Sequence, residues 1–193
     1  MRLMPSWVAR RAAFDCERWQ RTPATASSAE LLGLHDVYSA PLLGAGSPDA
    51  IVSKGLEALL RYQVFPAHRM KHHVCTDDGV LRSGALIVQR LIAGPVAVEA
   101  AVLVESVFDE RAHGGRAGFT YATLRGHVER GTATFSVGAD DQGVPTVYVE
   151  SWSLPGNALM AAGRPFLRGI QRSSVREALG YVQGQVSAGP IAS

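Results

Sequence analysis

Apolar residues along the chain switch between a helical period and a period of two. Near the start, Val8, Ala12, Cys16 and Trp19 recur at helical spacing and predict a short amphipathic helix over residues 6–20, followed by a Thr/Ala/Ser linker at residues 22–29. A helix carrying two tryptophans is read as packed on the body, with a free membrane-surface or partner-binding helix as the alternative. Asp36 to Leu43 reads as a strand that ends at Gly44-Ala45-Gly46. Ser47 then caps a helix: proline takes the first helical position, and Ile51, Gly55, Ala58, Leu59 and Tyr62 follow on one face until Pro66.

Beyond Pro66 the period becomes two. Six runs read as consecutive strands: Arg69–Cys75, Ala85–Ile92, Val96–Phe108, Gly118–Leu124, Thr132–Val137 and Thr146–Trp152. Turn residues separate them, among them Asp77-Asp78-Gly79, Gly94-Pro95, His113-Gly114-Gly115 and Asp140-Asp141-Gln142-Gly143. After Pro155-Gly156 a long helix runs to about Gln183. Gly163, Phe166, Leu167, Ile170, Ser174, Ala178 and Tyr181 share one of its faces, and Arg164, Arg168, Arg172 and Arg176 line the other. The order is strand, helix, six strands, long helix, an α+β pattern with a curved antiparallel sheet of seven strands. Such a sheet must cover its apolar face, and one long amphipathic helix laid into its curve does so. A cavity between the two is the natural place for function.

Composition narrows the class. The 193 residues, 47% hydrophobic and 19% charged, are enough for one ordinary core without disulfides or metal staples. The organisation reads as an arm and linker at 1–34, a folded body at 35–185 and a tail at 186–193. Arginines are scattered and only two lysines occur, Lys54 and Lys71, so no basic stripe points to nucleic acid. The most apolar stretch, Gly84 to Phe108, is broken by Gln89-Arg90, Gly94-Pro95 and Glu99, which excludes a membrane helix. No targeting segment is read at the amino terminus. Two cysteines, Cys16 and Cys75, are too few for a disulfide framework and suggest a reducing, cytoplasmic setting.

The segment Gly118-Phe119-Thr120-Tyr121-Ala122-Thr123-Leu124-Arg125-Gly126-His127-Val128-Glu129-Arg130-Gly131 resembles the G-F-x-Y-G-T-L-x-G-H-x-E-x-G signature of the family called the domain of unknown function nineteen-ninety. Gly44 and Gly46, the helix from Leu56 to Tyr62, Gly94-Pro95 and the closing helix resemble it as well, over about Tyr38 to Val182. Ala122, Arg125, Val128, Thr132 and Ala133 depart from the family pattern. By element order the chain also resembles the helix-grip fold of START-like proteins. That resemblance implies a lipid-like, polyketide-like or other apolar ligand held between sheet and helix, and it implies no particular reaction.

Candidate chemistry gathers around the signature. His127 and Glu129 stand two apart after a strand, where an imidazole beside a carboxylate makes a general acid/base pair or, alternatively, fixes a turn through the backbone. Tyr121, Thr123 and Phe119 share one strand face, which either lines the cavity, with Tyr121 orienting a ligand carbonyl, or faces out as surface. Tyr148, Glu150 and Trp152 alternate along the last strand, where Glu150 is read as a buried acid between two aromatics or as an exposed one. Phe166, Ile170 and Ser174 would meet the ligand from the helix, with a close helix–sheet contact as the alternative for Ser174. His68, His72, His73 and Cys75 form a metal-like cluster, but His73 and Cys75 share a strand face that His72 does not, so a tetrahedral set needs a ligand from elsewhere. No metal and no cofactor are expected.

The leading expectation is therefore a binder of a small apolar molecule. The alternatives are a cofactor-free cyclase, dehydratase or hydrolase using His127, Glu129 and Tyr121, and an interaction module that forms homo-oligomers through the amino-terminal arm.

Overall fold

Strict alternation punctuated by glycine- and aspartate-bearing turns lays down neighbouring strands antiparallel. A computed structural model of the protein describes residues 1–19, 34–125, 127, 129–155 and 164–187. Its elements are β1 (Arg2–Pro5), α1 (Ser6–Arg11), β2 (Leu34–Pro41), α2 (Pro48–Leu60), β3 (Met70–Val74), β4 (Leu86–Ala93), β5 (Val96–Asp109), a 3-10 turn (Arg111–His113), β6 (Ala117–Thr123), β7 (Glu129–Ala139), β8 (Pro145–Pro155) and α3 (Arg164–Ser187). The sheet order is β2-β8-β7-β6-β5-β4-β3, antiparallel throughout, so β3 to β8 form a meander and β2 returns to the edge beside β8.

The sheet has an eighth strand that the periodicity does not announce. β6 pairs with β5 only from Val102 onward, which leaves the start of β5 without a partner on that side. β1 fills the gap, pairing Arg2 with Glu99 and Pro5 with Val96. Unpaired backbone groups on an edge demand a partner, and four residues suffice here.

Register assigns the two faces. Inward point Ile87, Val102, Val104, Phe119, Phe135, Val137, Val147 and Val149, which pack with Leu59, Tyr62, Ala178, Leu179, Val182 and Val186 in the main core. α2 begins as read, with the Ser47 hydroxyl accepting from the Ala50 amide at 3.3 Å and Pro48 in the first turn. It presses close to the sheet because Gly55 has no side chain. A Cβ there would stand 2.9 Å from Leu42 Cδ1 and 3.1 Å from Val137 Cγ1. α3 is pinned at its far end, where the Gln183 side-chain amide accepts from the Leu43 amide and donates to the Leu43 carbonyl, both at 3.1 Å. The side chains of Phe166 and Ile170 lie outside the described residues.

On the outer face the arm departs from the helix expected over residues 6–20. α1 stops at Arg11, and an arginine of β4 supplies the reason. Arg90 donates to the carbonyls of Ala9 (3.2 Å), Ala12 (2.6 Å) and Ala13 (2.6 Å), taking acceptors that a continued helix would use itself. Its Nε also meets Glu99 at 2.5 Å, and both side chains are buried. This pairing settles Glu99, an acid inside an apolar strand. Phe14 stacks over the Arg90 guanidinium with 4.0 Å from Cζ to the ring centre. Trp19 packs with Leu86, Val88, Ala101 and Leu124, whereas Trp7 is 67% exposed, contrary to the expected burial of both.

Cys16 and Cys75 form a disulfide that staples the arm to the end of β3, with their Cα atoms 5.9 Å apart. The suggestion of a reducing compartment took the two as unpaired, and that premise fails. Among the described residues no helix is long and apolar enough to cross a membrane.

Candidate ligand cavity

Between the inner face of the sheet and α3 lies a cavity of about 230 Å³. Small residues make it. Ala100, Ala133, Gly131, Ser151 and Ser153 stand on the inner face where larger side chains would fill the space, and Ser174 leaves room on the helix. Phe65, Met70, Leu91, Val98, Phe135, Val149 and Val175 supply the apolar wall. The strand face carrying Tyr121 and Thr123 turns inward, and both residues line the hollow.

Tyr121 is partly buried, packing against the core where it lines the cavity beside Gln89. Its ring is stacked within 6.0 Å of Phe135 and 6.3 Å of Phe119. Tyr62 reaches the same place from the end of α2. It sits just past the helix, with φ of +53°, and this left-handed turn swings its ring inward. The Gln89 amide donates to the Tyr62 hydroxyl at 2.5 Å, and the His72 ring meets the Tyr62 ring edge-on at 5.1 Å. Burial holds the Tyr62 hydroxyl well above its ordinary pKa and pushes Tyr121 up to about 12. Both therefore keep their protons at neutral pH.

A second polar group stands where β6 and β7 part. Their ladder ends at Ala122 and Thr132, and the Thr123 side chain takes over from the backbone. Its hydroxyl oxygen accepts from the Gly131 amide at 2.9 Å and donates to the Gly131 carbonyl at 3.3 Å. Gly131 is required here, because a Cβ would run into the Trp152 backbone and φ is +155°. Gly118 meets the same constraint at the other end of β6, against Phe135 and Ser136.

His127 stands in the connection, Glu129 opens β7, and both line the cavity. The His127 Nδ1 lies 3.0 Å from the Glu129 carbonyl oxygen and 3.1 Å from its amide nitrogen. That contact is the turn-fixing arrangement. A ring that donates to the carbonyl leaves Nε2 as a base, and one that accepts from the amide leaves Nε2–H as a donor. Burial pushes the His127 pKa down to about 4, so the ring is neutral at pH 7. Burial raises the Glu129 carboxyl above its ordinary value, helped by the negative charge of Asp36.

Register separates the other sequence candidates. Phe119 points inward but is fully buried in the core beneath the cavity, stacked on Phe135 at 5.4 Å, so it supports the floor without lining it. Tyr148 and Glu150 point to the outer face, opposite to their expected role. Val147, Val149 and Ser151 take the inward positions of β8. Tyr148 lies under the Arg116 guanidinium at 3.4 Å, and Glu150 is a solvent-side acid, its carboxylate 2.8 Å from His35 Nε2 with 44% of the side chain exposed. Trp152 borders the cavity, but its ring stacks on His35 at 4.0 Å in that same outer group. The histidine cluster is split too: His68 meets Glu177 at 3.0 Å, and His72 faces the core.

Tyr62, Gln89 and Asp36 escaped sequence reasoning. Gln89 does carry a sequence signal, a lone amide inside an apolar strand.

Comparison with known proteins now places the chain. The family model described as Domain of unknown function (DUF1990) matches residues 26–180. The chain belongs to the DUF1990 family. A search of curated proteins returned no match. Among solved structures, the hypothetical protein jhp0584 from Helicobacter pylori is similar at a TM-score of 0.57 and 7% identity, over 90% of this chain and 97% of that one. The di-domain ARO/CYC BexL from the BE-7585A biosynthetic pathway is similar at 0.54 and 13%, over 82% of this chain. The match spans about half of BexL, 52% of its length. The KanY protein is similar at 0.52 and 13% identity, over 80% of this chain and 97% of that one. At such identities the likeness shows the fold, which is the helix-grip arrangement.

The DUF1990 signature thus has a physical reading in this chain. Gly118 and Gly131 let strands approach, Thr123 holds Gly131, and Tyr121, His127 and Glu129 border the cavity.

Proposed function

We propose that the protein binds a small, largely apolar metabolite that carries a carbonyl or similar acceptor. The observation that carries this reading is the Tyr121 hydroxyl, a protonated donor that lines the cavity among Phe135, Val149, Ala100 and other apolar side chains. Tyr121 lines the cavity beside Gln89, so its hydroxyl is placed to donate to a bound acceptor. Burying about 200 to 300 Å² of apolar ligand surface is worth about 5 to 8 kcal/mol before ordering costs, enough for micromolar binding. A lipid-like or polyketide-like molecule meets these demands.

Displacement of an apolar fluorescent probe by aromatic ketones tests the reading. Binding should weaken about fivefold to tenfold in Tyr121→Phe for a ketone and stay unchanged for the matching hydrocarbon. Equal losses for both, or no binding by the parent protein, would count against it.

A cofactor-free enzyme is the second reading, favoured by a neutral imidazole and a carboxyl biased toward its acid form on one cavity wall. In a dehydration, His127 Nε2 would take a proton from carbon while Glu129 gives one to the departing hydroxyl, which leaves as water. The same cavity in a cyclase or hydrolase would use the two groups likewise. Incubation with β-hydroxy ketones, followed by mass spectrometry for loss of water, decides between binder and enzyme. Glu129→Gln should then retain binding and abolish the loss.

A further inference from the structure

The outer end of β3 carries a group of side chains that the cavity does not use. His73 and Cys75 stand two apart on the outer face, and the arm brings Cys16 to them. The three ligand atoms lie within 4.8 Å of one another. Cys16 is a third ligand that the strand alone could not supply, and a solvent molecule would complete a tetrahedral set. We infer that, once the disulfide is reduced, Cys16, Cys75 and His73 bind a thiophilic divalent cation of the zinc type.

The site persists without the sulfur–sulfur bond because other contacts hold the arm. Arg90 grips three arm carbonyls, Lys71 Nζ donates to the Arg10 carbonyl at 2.9 Å, and β1 is a strand of the sheet. Phe14 bridges the grip to the site, stacked on the His73 ring at 5.6 Å and 16°. Reduced sulfurs cannot stay at bonding distance, and they part by van der Waals repulsion. Tetrahedral zinc with Zn–S of about 2.3 Å needs sulfurs about 3.8 Å apart, an adjustment smaller than a side-chain rotation. His73 is exposed, which gives the cation its way in.

The redox step balances with a water-soluble trialkylphosphine as reductant. The phosphine takes oxygen from water and becomes its oxide, and the two sulfurs each gain a proton. Cation binding then releases both protons, because the ligands are thiolates.

The test uses the full chain, reduced with the phosphine under anaerobic conditions and titrated with Co²⁺ alone. One equivalent should produce thiolate-to-cobalt charge-transfer absorption and tetrahedral d–d bands, and the unreduced protein should give neither. His73→Gln keeps the disulfide and the fold, and should weaken Co²⁺ binding by about tenfold or more after reduction. Cys16→Ser should remove the charge-transfer band of a two-thiolate site. Absence of the bands in the reduced protein, parent-like affinity in His73→Gln, or loss of the far-ultraviolet strand signal on reduction would each overturn the inference.

Discussion

The Tyr62 hydroxyl accepts a hydrogen bond from the Gln89 amide at 2.5 Å, joining the end of α2 to the middle of β4 beneath the cavity. Tyr62→Phe keeps the ring and deletes the acceptor, stranding a buried amide donor. The expected cost is about 1 to 3 kcal/mol, read as a lower urea midpoint with an unchanged slope. Gln89→Leu removes a buried amide as well, and the double variant should cost less than the sum of the two singles.

The buried imidazole makes the protein acid-sensitive. A His127 pKa near 4 in the folded chain, against an ordinary 6.5, contributes stability that is complete above about pH 6.5 and lost as pH falls through 4. Glu129 works in the opposite sense. Its raised pKa contributes stability below the ordinary carboxylate value, which is lost as pH rises through the folded value. Urea midpoints between pH 4 and 7 should fall toward acid in the parent and fall less in His127→Gln. Glu129→Gln should raise the midpoint at pH 7.

Arg90 and Glu99 are both buried, so neither tolerates losing the other. Arg90→Met leaves an uncompensated charge and three arm carbonyls without their donor. Destabilisation of about 3 to 5 kcal/mol is expected in thermal denaturation. Arg90→Met combined with Glu99→Leu should recover part of it, while arm residues stay more open to proteolysis than in the parent.

A methyl group at position 131 has nowhere to go. Gly131→Ala should cost about 3 kcal/mol or more, or fail to give soluble protein, because the new Cβ meets the Trp152 carbonyl. Ala at Gly143, whose surroundings are open, is the matched control for a positive-φ glycine.

Alternation and turn residues made β2 to β8 legible, and Ser47-Pro48 marked the start of α2 to the residue. The same alternation put Tyr121 and Thr123 on one face, and the presence of a cavity beside them follows from covering a curved sheet with a helix. What stayed hidden depends on partners far along the chain. β1 has no period of its own and exists because β6 stops short of Val96. The end of α1 is dictated by Arg90, some eighty residues away in sequence, and the pairing of Cys16 with Cys75 follows from that same clasp. For Tyr148 and Glu150 the period was right and its phase was not. Which set of alternating residues faces in is fixed by the register of β8 against β7, where Val149 opposes Phe135.

Because the arm lies over β4 and β5, that end of the sheet has protein on both sides, while the outer side of β2 shows His35, Val37 and Ser39 to water. Local opening is cheapest where fewest apolar contacts must be broken. The molecule should therefore unravel from the wet edge inward, with the clasped half the last to open.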